Sequence, residues 1–436
     1  MSNCACCALV LLVTASLLSV SPSARSQQPP AHINADRLLL HMTAMGEIGK
    51  DPVAGYARVA YTDADRQGRE YAIGIMRAAG LAVSIDTAGN IYGRRPGSQP
   101  GLPSIMIGSH IDSVPQGGNY DGVVGSIGAI EVTQTLAEAR KDLRHPLEVV
   151  LFQNEEGGLQ GSRAISGELR EEDLSNATRS GKSLRDGIAF IGGDPTRIAE
   201  ARRKRGELFG YFELHVQQGG SLDAEKIDIG VVEGIVGNRR WDVSIEGFAN
   251  HAGTTPMNQR RDALLAAARL IEAVNRVAAS MPGQQVATVG RIEALPGAYN
   301  VIAGKVTLGI DLRDLQAARM DSMFDQIQKD AAQIAAATST KFAFHQIVDD
   351  QPVLTDPRLR KIVADSAAEL KFTSKPVPSG ATQDAQSIGH IAPIAMIFVP
   401  SVAGISHAPQ EFTRPQDIVN GANVLLLSVL HLDSQQ

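Results

Sequence analysis

The stretch SIMIGSHIDSVPQGGNYDGVVGSIGAIEVTQTLAEA, residues 104–139, contains a strand, a glycine-rich loop and a helix in succession. Ser104 to Gly108 predicts a buried strand, and the small and apolar spacing of Gly122 to Ala139 predicts a helix packed closely on a sheet. Two potential metal ligands, His110 and Asp121, lie in the connection. Functional groups of α/β domains cluster where strands end, so this stretch predicts both the fold class and the position of a site.

The same alternation of helical and strand patterns continues on both sides of this stretch. Tyr61 to Ala79 predicts a helix, and Leu81 to Asp86 and Leu147 to Gln153 predict strands. Near the C-terminus, Ile394 to Val399 predicts a further strand, and a last helix begins at about Pro415. These elements together are typical of an α/β fold.

A different order of elements occupies residues 239–348. It runs strand, helix, strand, strand, helix, strand, which matches the split ferredoxin-like motif. The predicted elements are Trp241 to Glu246, Asp262 to Ala279, Val286 to Ile292, Lys305 to Arg313, Ala317 to Ala337 and Phe342 to Val348. The sequence therefore predicts a first domain of residues 31–238 and 349–436, into which a second domain, residues 239–348, is inserted.

Length and composition exclude several classes of protein. A chain of 436 residues is too long for one compact core, and 43% hydrophobic with 20% charged residues indicates a globular rather than a disordered protein. The net charge of −6 argues against binding to a nucleic-acid backbone. We therefore expect a small-molecule partner and no nucleic acid.

The N-terminus predicts export. The apolar segment Ala8 to Val20 is as long as a signal-peptide core and too short to span a bilayer, and Ala24-Arg25-Ser26 is a plausible cleavage box. Residues 1–26 are therefore predicted to be a signal peptide of a periplasmic or secreted protein. The alternative is an uncleaved hydrophobic tail on a cytoplasmic protein, because the segment before the apolar core has no Lys or Arg.

All cysteines precede that apolar segment, at Cys4, Cys6 and Cys7. The mature chain would contain no disulfide, no cysteine ligand and no cysteine nucleophile. A lipid-bearing cysteine would have to follow the apolar segment, so we expect no membrane anchor. The chemistry is thereby limited to oxygen and nitrogen ligands.

Five such ligands occur in glycine-rich surroundings. They are His110 and Asp121, then Glu156 in QNEEGG, His215 in FELHVQQGG and His407 in GISHAP. Each alone has an ordinary structural explanation, such as a turn aspartate or a core histidine. Together they supply the imidazoles and carboxylates that a pair of divalent ions sharing one carboxylate requires.

Individual roles follow from position along the strands. Asp121, in a loop where the backbone can approach a metal closely, is assigned as the bridging carboxylate. Asp112 lies two residues after His110 on the same side, so its carboxylate is expected to accept a hydrogen bond from that imidazole. Adjacent carboxylates leaving a strand diverge, so Glu156 is expected to bind metal and Glu155 to transfer protons.

Other catalytic motifs do not fit the chain. GSHID is not a G-x-S-x-G nucleophile elbow, and there is no G-x-x-x-x-G-K-[ST] phosphate loop. Gly122, Gly125 and Gly128 lack the spacing of a dinucleotide-binding loop, and close helix packing explains them better. A metal-dependent hydrolase remains the interpretation that the motifs favour.

Six motifs, in order, resemble the hydantoinase/carbamoylase branch of the metallopeptidase family that also holds carboxypeptidase G and the aminoacylases. They are GSHIDSVPQGGNYDGVVG, NEEGGLQGSRAISG, ELHVQQG, GFANHAGTTPM, AYNVIAGKVTLGIDLRD and IFVPSVAGISHAPQEFT. The resemblance runs from about residue 35 to the C-terminus. It implies a zinc-peptidase-like α/β catalytic domain with an inserted ferredoxin-like α+β domain that covers the active site and forms a homodimer.

The resemblance also implies roles for individual residues. One ion would be held by His110, Asp121 and His215, and the other by Asp121, Glu156 and His407. Glu155 would be the general acid/base, and His251 would polarise the scissile carbonyl in the partner subunit's site. The residues that match substrate-binding positions are Gln218, Asn300, Arg313 and Gly380, with Arg313 suited to a bidentate grip on an α-carboxylate.

Two departures from the pattern of the branch concern the substrate. The branch usually reads H-[IV]-E-Q-G-P where this chain has Gln217 and Gly220, and S-G-A-G-H-D-A where it has Thr382 and Gln383. The second departure replaces a histidine near the substrate pocket. The native metal also stays open, because the ligand set suits zinc, which we expect, as well as manganese, cobalt or nickel.

Several activities follow as hypotheses. The leading one is hydrolysis of the ureido C–N bond of N-carbamoyl-L-amino acids to the amino acid, ammonia and carbon dioxide. Allantoate amidohydrolase is an alternative, because allantoate also carries a carboxylate beside a ureido group. An exported aminopeptidase or aminoacylase is another. A non-catalytic binding protein would require loss of a ligand or of Glu155, and none is lost.

Overall fold

The computed structural model describes residues 1–2, 32–51 and 55–435. The predicted signal peptide, residues 1–26, lies outside the described residues except for Met1 and Ser2. Among the helices of the described ranges, none is long and apolar enough to cross a membrane.

Residues 32–235 alternate between helices and short strands. The helices are α1 (Ala35–Gly46), α2 (Asp63–Ala78), α3 (Val123–Glu138), α4 (Gln160–Ser166), α5 (Leu184–Phe190) and α6 (Ser221–Glu225). The strands are β1 (Lys50–Asp51), β2 (Gly55–Tyr56), β3 (Ala82–Ile85), β4 (Ile91–Arg95), β5 (Ser104–His110), β6 (Leu147–Phe152), β7 (Leu208–Val216) and β8 (Ile229–Ile235).

The remaining elements follow in two groups. The first comprises β9 (Gly237–Glu246), α7 (Ala263–Ser280), β10 (Val286–Leu295), β11 (Lys305–Asp314), α8 (Ala317–Thr338) and β12 (Lys341–Asp350). The second comprises β13 (Val353–Leu354), α9 (Pro357–Glu369), β14 (Ser374–Ser379), α10 (Asp384–Ile388), β15 (Ile394–Val399) and α11 (Pro415–Ser434).

The larger sheet has nine strands in the order β13-β8-β15-β7-β5-β6-β4-β3, with β14 paired to β8. Its centre, β15-β7-β5-β6, is parallel, and these strands are apolar and buried almost throughout. Parallel strands are buried in this way because helices cover both faces of the sheet. One large apolar cluster lies on the face covered by α1, α3, α9 and α11, and a second lies on the opposite face.

Helix α3 lies unusually close to the sheet. A Cβ atom at Gly125 would be 2.0 Å from the backbone oxygen of Leu214 on β7, and one at Gly128 would be 3.0 Å from the Leu214 side chain. Both glycines therefore serve close packing of helix against strand, as the sequence predicted. The start of α3, just after Asp121, is held against the carboxyl ends of the central strands.

The smaller sheet has four antiparallel strands in the order β10-β11-β9-β12, with α7 and α8 on one face. This is the predicted strand-helix-strand-strand-helix-strand order, and the sheet spans residues 237–350, slightly wider than the predicted segment. Residues of β11 alternate between buried and partly exposed, so one face carries the core and the other is open. The core includes Trp241 stacked on Phe324, with ring centroids 3.9 Å apart.

Substituting alanine at two glycines should test the close packing of α3. We expect Gly125→Ala to lower the free energy of unfolding by about 2 kcal/mol, because the added methyl group overpacks the contact with β7. Gly74→Ala is the matched control, since this glycine is exposed on α2 and its Cβ would meet nothing within 4 Å. There the change should stabilise by about 0.5–1 kcal/mol through helix propensity alone. Urea denaturation measures both, and equal effects would contradict the packing argument.

Candidate metal centre

The predicted ligands meet at the carboxyl edge of the parallel strands. His110 is the last residue of β5, His215 lies one residue from the end of β7, and Glu156 follows β6. His407 follows β15, and Asp121 lies in the loop that leads into α3. Four neighbouring strands therefore each bring one ligand to the same edge, with Asp121 between them.

Asp121 divides its two carboxylate oxygens between two groups of ligands. Its Oδ1 lies 3.0 Å from Nε2 of His215 and 3.5 Å from Nε2 of His110, whereas Oδ2 lies 3.2 Å from Nε2 of His407. His407 Nε2 is also 3.4 Å from Oε1 of Glu156. Two ligand groups result, His110-Asp121-His215 and Asp121-Glu156-His407, each with its ligand atoms within 4.8 Å of one another.

Backbone contacts orient two of the imidazoles toward this centre. Nδ1 of His110 is 3.0 Å from the carbonyl oxygen of Asp112, and Nδ1 of His215 is 2.8 Å from the carbonyl oxygen of Val216. A carbonyl can only accept, so in each ring Nδ1 donates and Nε2 carries the lone pair. In His215 that lone pair accepts the backbone N–H of Gly122 at 3.2 Å, while Nε2 also faces Oδ1 of Asp121. Nε2 of His110 is buried and has no hydrogen-bond partner in the described part of the chain. An orphaned, inward-facing nitrogen of this kind fits a metal ligand.

The carboxylate of Asp112 does not accept the hydrogen bond from His110 that the sequence predicted. Its carboxylate lies 3.6 Å from Nδ1 of His110, beyond hydrogen-bond distance, and the backbone carbonyl of Asp112 takes that contact instead. The two carboxylate oxygens accept the backbone N–H groups of Glu155 and Glu156, each at 3.3 Å. The reason is local: two amides of the turn after β6 point at the carboxylate. Asp112 therefore fixes the position of the Glu155–Glu156 turn.

The centre brings several buried carboxyl groups close together. Burial raises the pKa of Glu155 well above the usual range, His110 lowers it, and Glu156 and Asp384 raise it further. Burial also raises the pKa of Glu156 to about 7. Across the described residues, no Lys or Arg forms an ion pair with Asp121, Glu155 or Glu156. Divalent cations would neutralise these carboxylates, so the donor set and its charge both fit a metal site.

Two glutamines form a hydrogen-bonded chain that ends at the centre. Gln218 Nε2 donates to Oδ2 of Asp121 at 2.8 Å, and buried Gln383 donates from Nε2 to Oε1 of Gln218 at 2.9 Å. Among the residues that the structure describes, Gln383 therefore reaches the centre through Gln218. Gln217 is instead used at the start of α6, where it accepts from the backbone of Leu222 and donates to Ser221.

The other predicted site residues form two separate groups. Arg313, at the end of β11, donates from Nη1 to the carbonyl oxygen of Gly380 at 2.9 Å, which connects the smaller sheet to the loop after β14. His251 and Asn300 are exposed neighbours, because Ala252 donates to the Asn300 carbonyl and His251 forms a bridge with Val301. Within the described ranges, neither His251 nor Asn300 contacts a predicted metal ligand.

Two buried residues that the sequence did not single out support the ligand loops. Arg58 is fully buried, and its guanidinium donates to the carbonyl oxygens of Ile111, Met45 and Ile48 and to Oδ1 of Asn119. It thus ties the segment after His110 to the loop before Asp121. Glu411 accepts from the backbone N–H groups of Tyr120 and Asp121 and from the Ser406 hydroxyl. No local pattern signals such contacts, since the partners are distant in sequence.

Removing the buried guanidinium should destabilise the fold. Arg58→Met leaves three backbone carbonyls without their donor, so we expect the free energy of unfolding to fall by about 3 kcal/mol or more. Arg66→Met, the same change at an exposed arginine of α2 paired with Asp63, should alter it by less than about 1 kcal/mol. Both are measured by urea denaturation with a chelator present, so that metal binding does not contribute. If Arg58→Met lowers the free energy of unfolding no more than Arg66→Met does, the proposed structural role of Arg58 is wrong.

Comparisons with known proteins agree with this geometry. The model of peptidase family M20/M25/M40 matches residues 106–431. The chain is 37% identical over 405 residues to N-carbamoyl-L-amino acid amidohydrolase of Geobacillus stearothermophilus, covering 92% of this chain and 99% of that protein. It is 32% identical over 398 residues to allantoate amidohydrolase of Escherichia coli strain K12, covering 90% of this chain and 96% of that protein.

A solved structure extends the likeness to the whole fold. The crystal structure of an amidase of the hydantoinase/carbamoylase family from Burkholderia multivorans superposes with a TM-score of 0.87 at 35% sequence identity. The match covers 93% of this chain and 100% of that chain. The chain therefore belongs to peptidase family M20/M25/M40 and, within it, to the hydantoinase/carbamoylase amidases.

Proposed function

We propose that the protein hydrolyses the ureido C–N bond of N-carbamoyl-L-amino acids, with two divalent metal ions per chain as cofactors. The observation that carries the proposal is the division of the Asp121 carboxylate between two ligand groups, one with His110 and His215 and one with Glu156 and His407. When bound, divalent ions at such a site act as Lewis acids toward water and a carbonyl oxygen. We expect zinc, with manganese, cobalt or nickel as alternatives.

Glu155 is the proposed general acid/base. Its carboxylate is buried, lies 3.8 Å from Nε2 of His110, and has its backbone fixed by Asp112. A carboxylate with a raised pKa can accept a proton from the attacking water and return it to the leaving nitrogen near neutral pH. Glu156, directed toward His407, is left for the metal.

His251 is proposed to polarise the scissile carbonyl in the partner subunit's site. Its Nδ1 accepts the backbone N–H groups of Gly253 at 3.0 Å and Thr254 at 3.2 Å. In the neutral ring this leaves the proton on Nε2, which is the form that donates to a developing oxyanion. The His251 side chain is exposed, so its Nε2–H is available to donate to a group in another chain.

The smaller sheet is the proposed dimerisation surface. Within the described part of the chain, strand β10 pairs with β11 alone, and its exposed apolar residues include Val286, Ile292 and Leu295. An exposed strand edge with apolar side chains is a template for pairing with a second copy. We accordingly infer that residues 239–348 form a lid and dimerisation domain, and that residues 31–238 and 349–436 form the catalytic domain.

Allantoate is the second candidate substrate. The likeness to the Escherichia coli allantoate amidohydrolase supports it, and allantoate presents the same ureido group beside a carboxylate. We further infer that residues 1–26 direct export to the periplasm or the medium, where an aminopeptidase or aminoacylase activity is the third candidate. The metal-reconstituted protein assayed against N-carbamoyl amino acids, allantoate and dipeptides decides among them by relative kcat/KM. Highest activity on dipeptides would overturn the proposal.

Replacing Glu155 by glutamine should remove proton transfer while leaving the shape of the site and the metals in place. We expect kcat to fall by at least the roughly 10²–10⁴-fold typical of a general acid/base. Asp121→Ala provides the contrast, because both ligand groups lose a shared carboxylate and the metal content itself should fall. Elemental analysis accompanies the kinetics. A Glu155→Gln protein with bound metal and near wild-type kcat would disprove the assigned role.

Mixed dimers should reveal whether His251 acts across subunits. His251→Ala is expected to lower kcat by about 10²–10³-fold with metals undisturbed, as loss of an oxyanion donor does. Heterodimers of a His251→Ala chain with a Glu155→Gln chain contain one intact site if the histidine acts in trans, so activity should return. His345→Ala, at another exposed histidine of the smaller sheet, is the control and should be active alone. Verified heterodimers without recovered activity would exclude the trans arrangement.

A further inference from the structure

Three charged residues lie together on the open face of the smaller sheet, the face without helices. Asp311 on β11 is the cross-strand partner of Arg240 on β9, and Arg313 lies two residues further along β11 on the same side. All three are partly exposed, whereas the residues between them are buried. Residues two apart on a strand share a face, so the three side chains can meet.

Asp311 lies between the two guanidinium groups. Its Oδ1 accepts from Nε of Arg313 at 2.9 Å, and its Oδ2 accepts from Nε of Arg240 at 2.7 Å and from Nη2 of Arg313 at 3.4 Å. Although burial acts in the opposite direction, the hydrogen bonds from Arg313 and Arg240 hold the pKa of Asp311 below its usual range. The carboxylate is therefore ionised and fixes the side of the Arg313 guanidinium that carries Nε.

The hydrogen bonds of Arg313 leave a defined pair of donors free. A guanidinium has five N–H groups. One on Nε and one on Nη2 go to Asp311, and one on Nη1 goes to the carbonyl oxygen of Gly380. The remaining two are one on each Nη atom, and they form the fork that binds both oxygens of a carboxylate if the Gly380 carbonyl takes the Nη1 hydrogen on the Cδ side.

The group formed by Arg313, Asp311 and Arg240 carries a net positive charge. With Asp311 alone, the charge of Arg313 would be neutralised, and an incoming carboxylate would meet no net attraction. Arg240 supplies a second positive charge to the same carboxylate, so the group of three carries one positive charge. Arg240 thereby preserves the attraction of Arg313 for an anion.

The contact with Gly380 joins Arg313 to a cleft that leads toward the metal centre. Gly380 and Gln218 both line this cleft of about 550 Å³, which also includes Gln284, from the loop between α7 and β10. Gln218 in turn donates to Asp121 at 2.8 Å. Two hydrogen bonds therefore connect the lining of the cleft, one to Arg313 through Gly380 and one to the candidate metal ligands through Gln218.

We propose that Asp311 and Arg240 are positioning residues for recognition of the substrate carboxylate: Asp311 orients Arg313 so that its Nη1 and Nη2 edge faces the substrate, and Arg240 offsets the charge of Asp311. The inference rests on the proposed function, in which the substrate carries a carboxylate beside the scissile group. In this arrangement Asp311 and Arg240 do not touch the substrate, yet the preference for the acid over its neutral carboxamide depends on them.

The test compares an N-carbamoyl-L-amino acid with its carboxamide, which lacks the negative charge. Arg240→Met should raise KM for the acid roughly tenfold with little change in kcat, and leave the carboxamide unaffected, because one charge is lost from the group. Arg240→Lys keeps the positive charge, so its KM for the acid should equal that of the wild type. Asp311→Asn should lower the preference for acid over carboxamide in kcat/KM by about tenfold or more, because the fork is no longer held.

Arg276→Met is the matched control, since Arg276 lies on α7, on the other face of the smaller sheet, and pairs with Asp330 at 2.8 Å. It should leave kcat and KM for both substrates unchanged. Equal losses on acid and carboxamide, an acid preference that is unchanged or increased in Asp311→Asn, or an Arg276→Met protein that behaves like Arg240→Met would overturn the inference. Failure of the proposed function is distinct, because the wild-type protein would then turn over neither compound. The same comparison is in that case made with the acid and carboxamide of whichever substrate class the wild type hydrolyses.

Discussion

The structure depends on one buried carboxylate, that of Asp121, placed where three histidines converge on it. Its two oxygens face different ligand groups, and this is possible only because the loop before α3 is held from several sides. Glu411 binds the backbone at Asp121, Arg58 holds Asn119, and the glycines of α3 let the helix approach β7. Burying a polar group without a hydrogen-bond partner costs free energy. Much of the surrounding hydrogen-bond network therefore serves to pair these buried groups.

The fold supplies the convergence through its parallel strands. Because β15, β7, β5 and β6 run in the same direction, their carboxyl ends meet at one edge, and each delivers a ligand there. Backbone carbonyls at the ends of β5 and β7 then set the tautomers of His110 and His215. Three residues at the same edge, Asn154, Gln218 and His407, have left-handed backbone conformations, which non-glycine residues adopt where the surroundings over-determine them.

The two sheets divide the proposed work between them. The larger sheet holds the candidate metal ligands and Glu155 in a buried centre rich in carboxyl groups, while the smaller sheet presents Arg313 on its open face and His251 in an exposed loop. A single hydrogen bond from Arg313 to Gly380 links the arginine to the cleft beside that centre. Recognition of the substrate carboxylate would thereby depend on how the smaller sheet lies against the larger one. The inserted domain would then bind part of the substrate in addition to covering the active site.

The sequence by itself determined the order of the elements in the smaller sheet, the α/β class of the larger domain and the five residues that the structure gathers into two ligand groups sharing Asp121. It could do so because hydrophobic periodicity and glycine-rich strand ends are local signals. Only the tertiary structure decided the partners of Asp112, the bracing by Arg58 and Glu411, and the chain from Gln383 through Gln218 to Asp121. Those contacts join segments far apart in the chain, and a hydrogen bond across such a distance leaves no trace in the residues that flank either end.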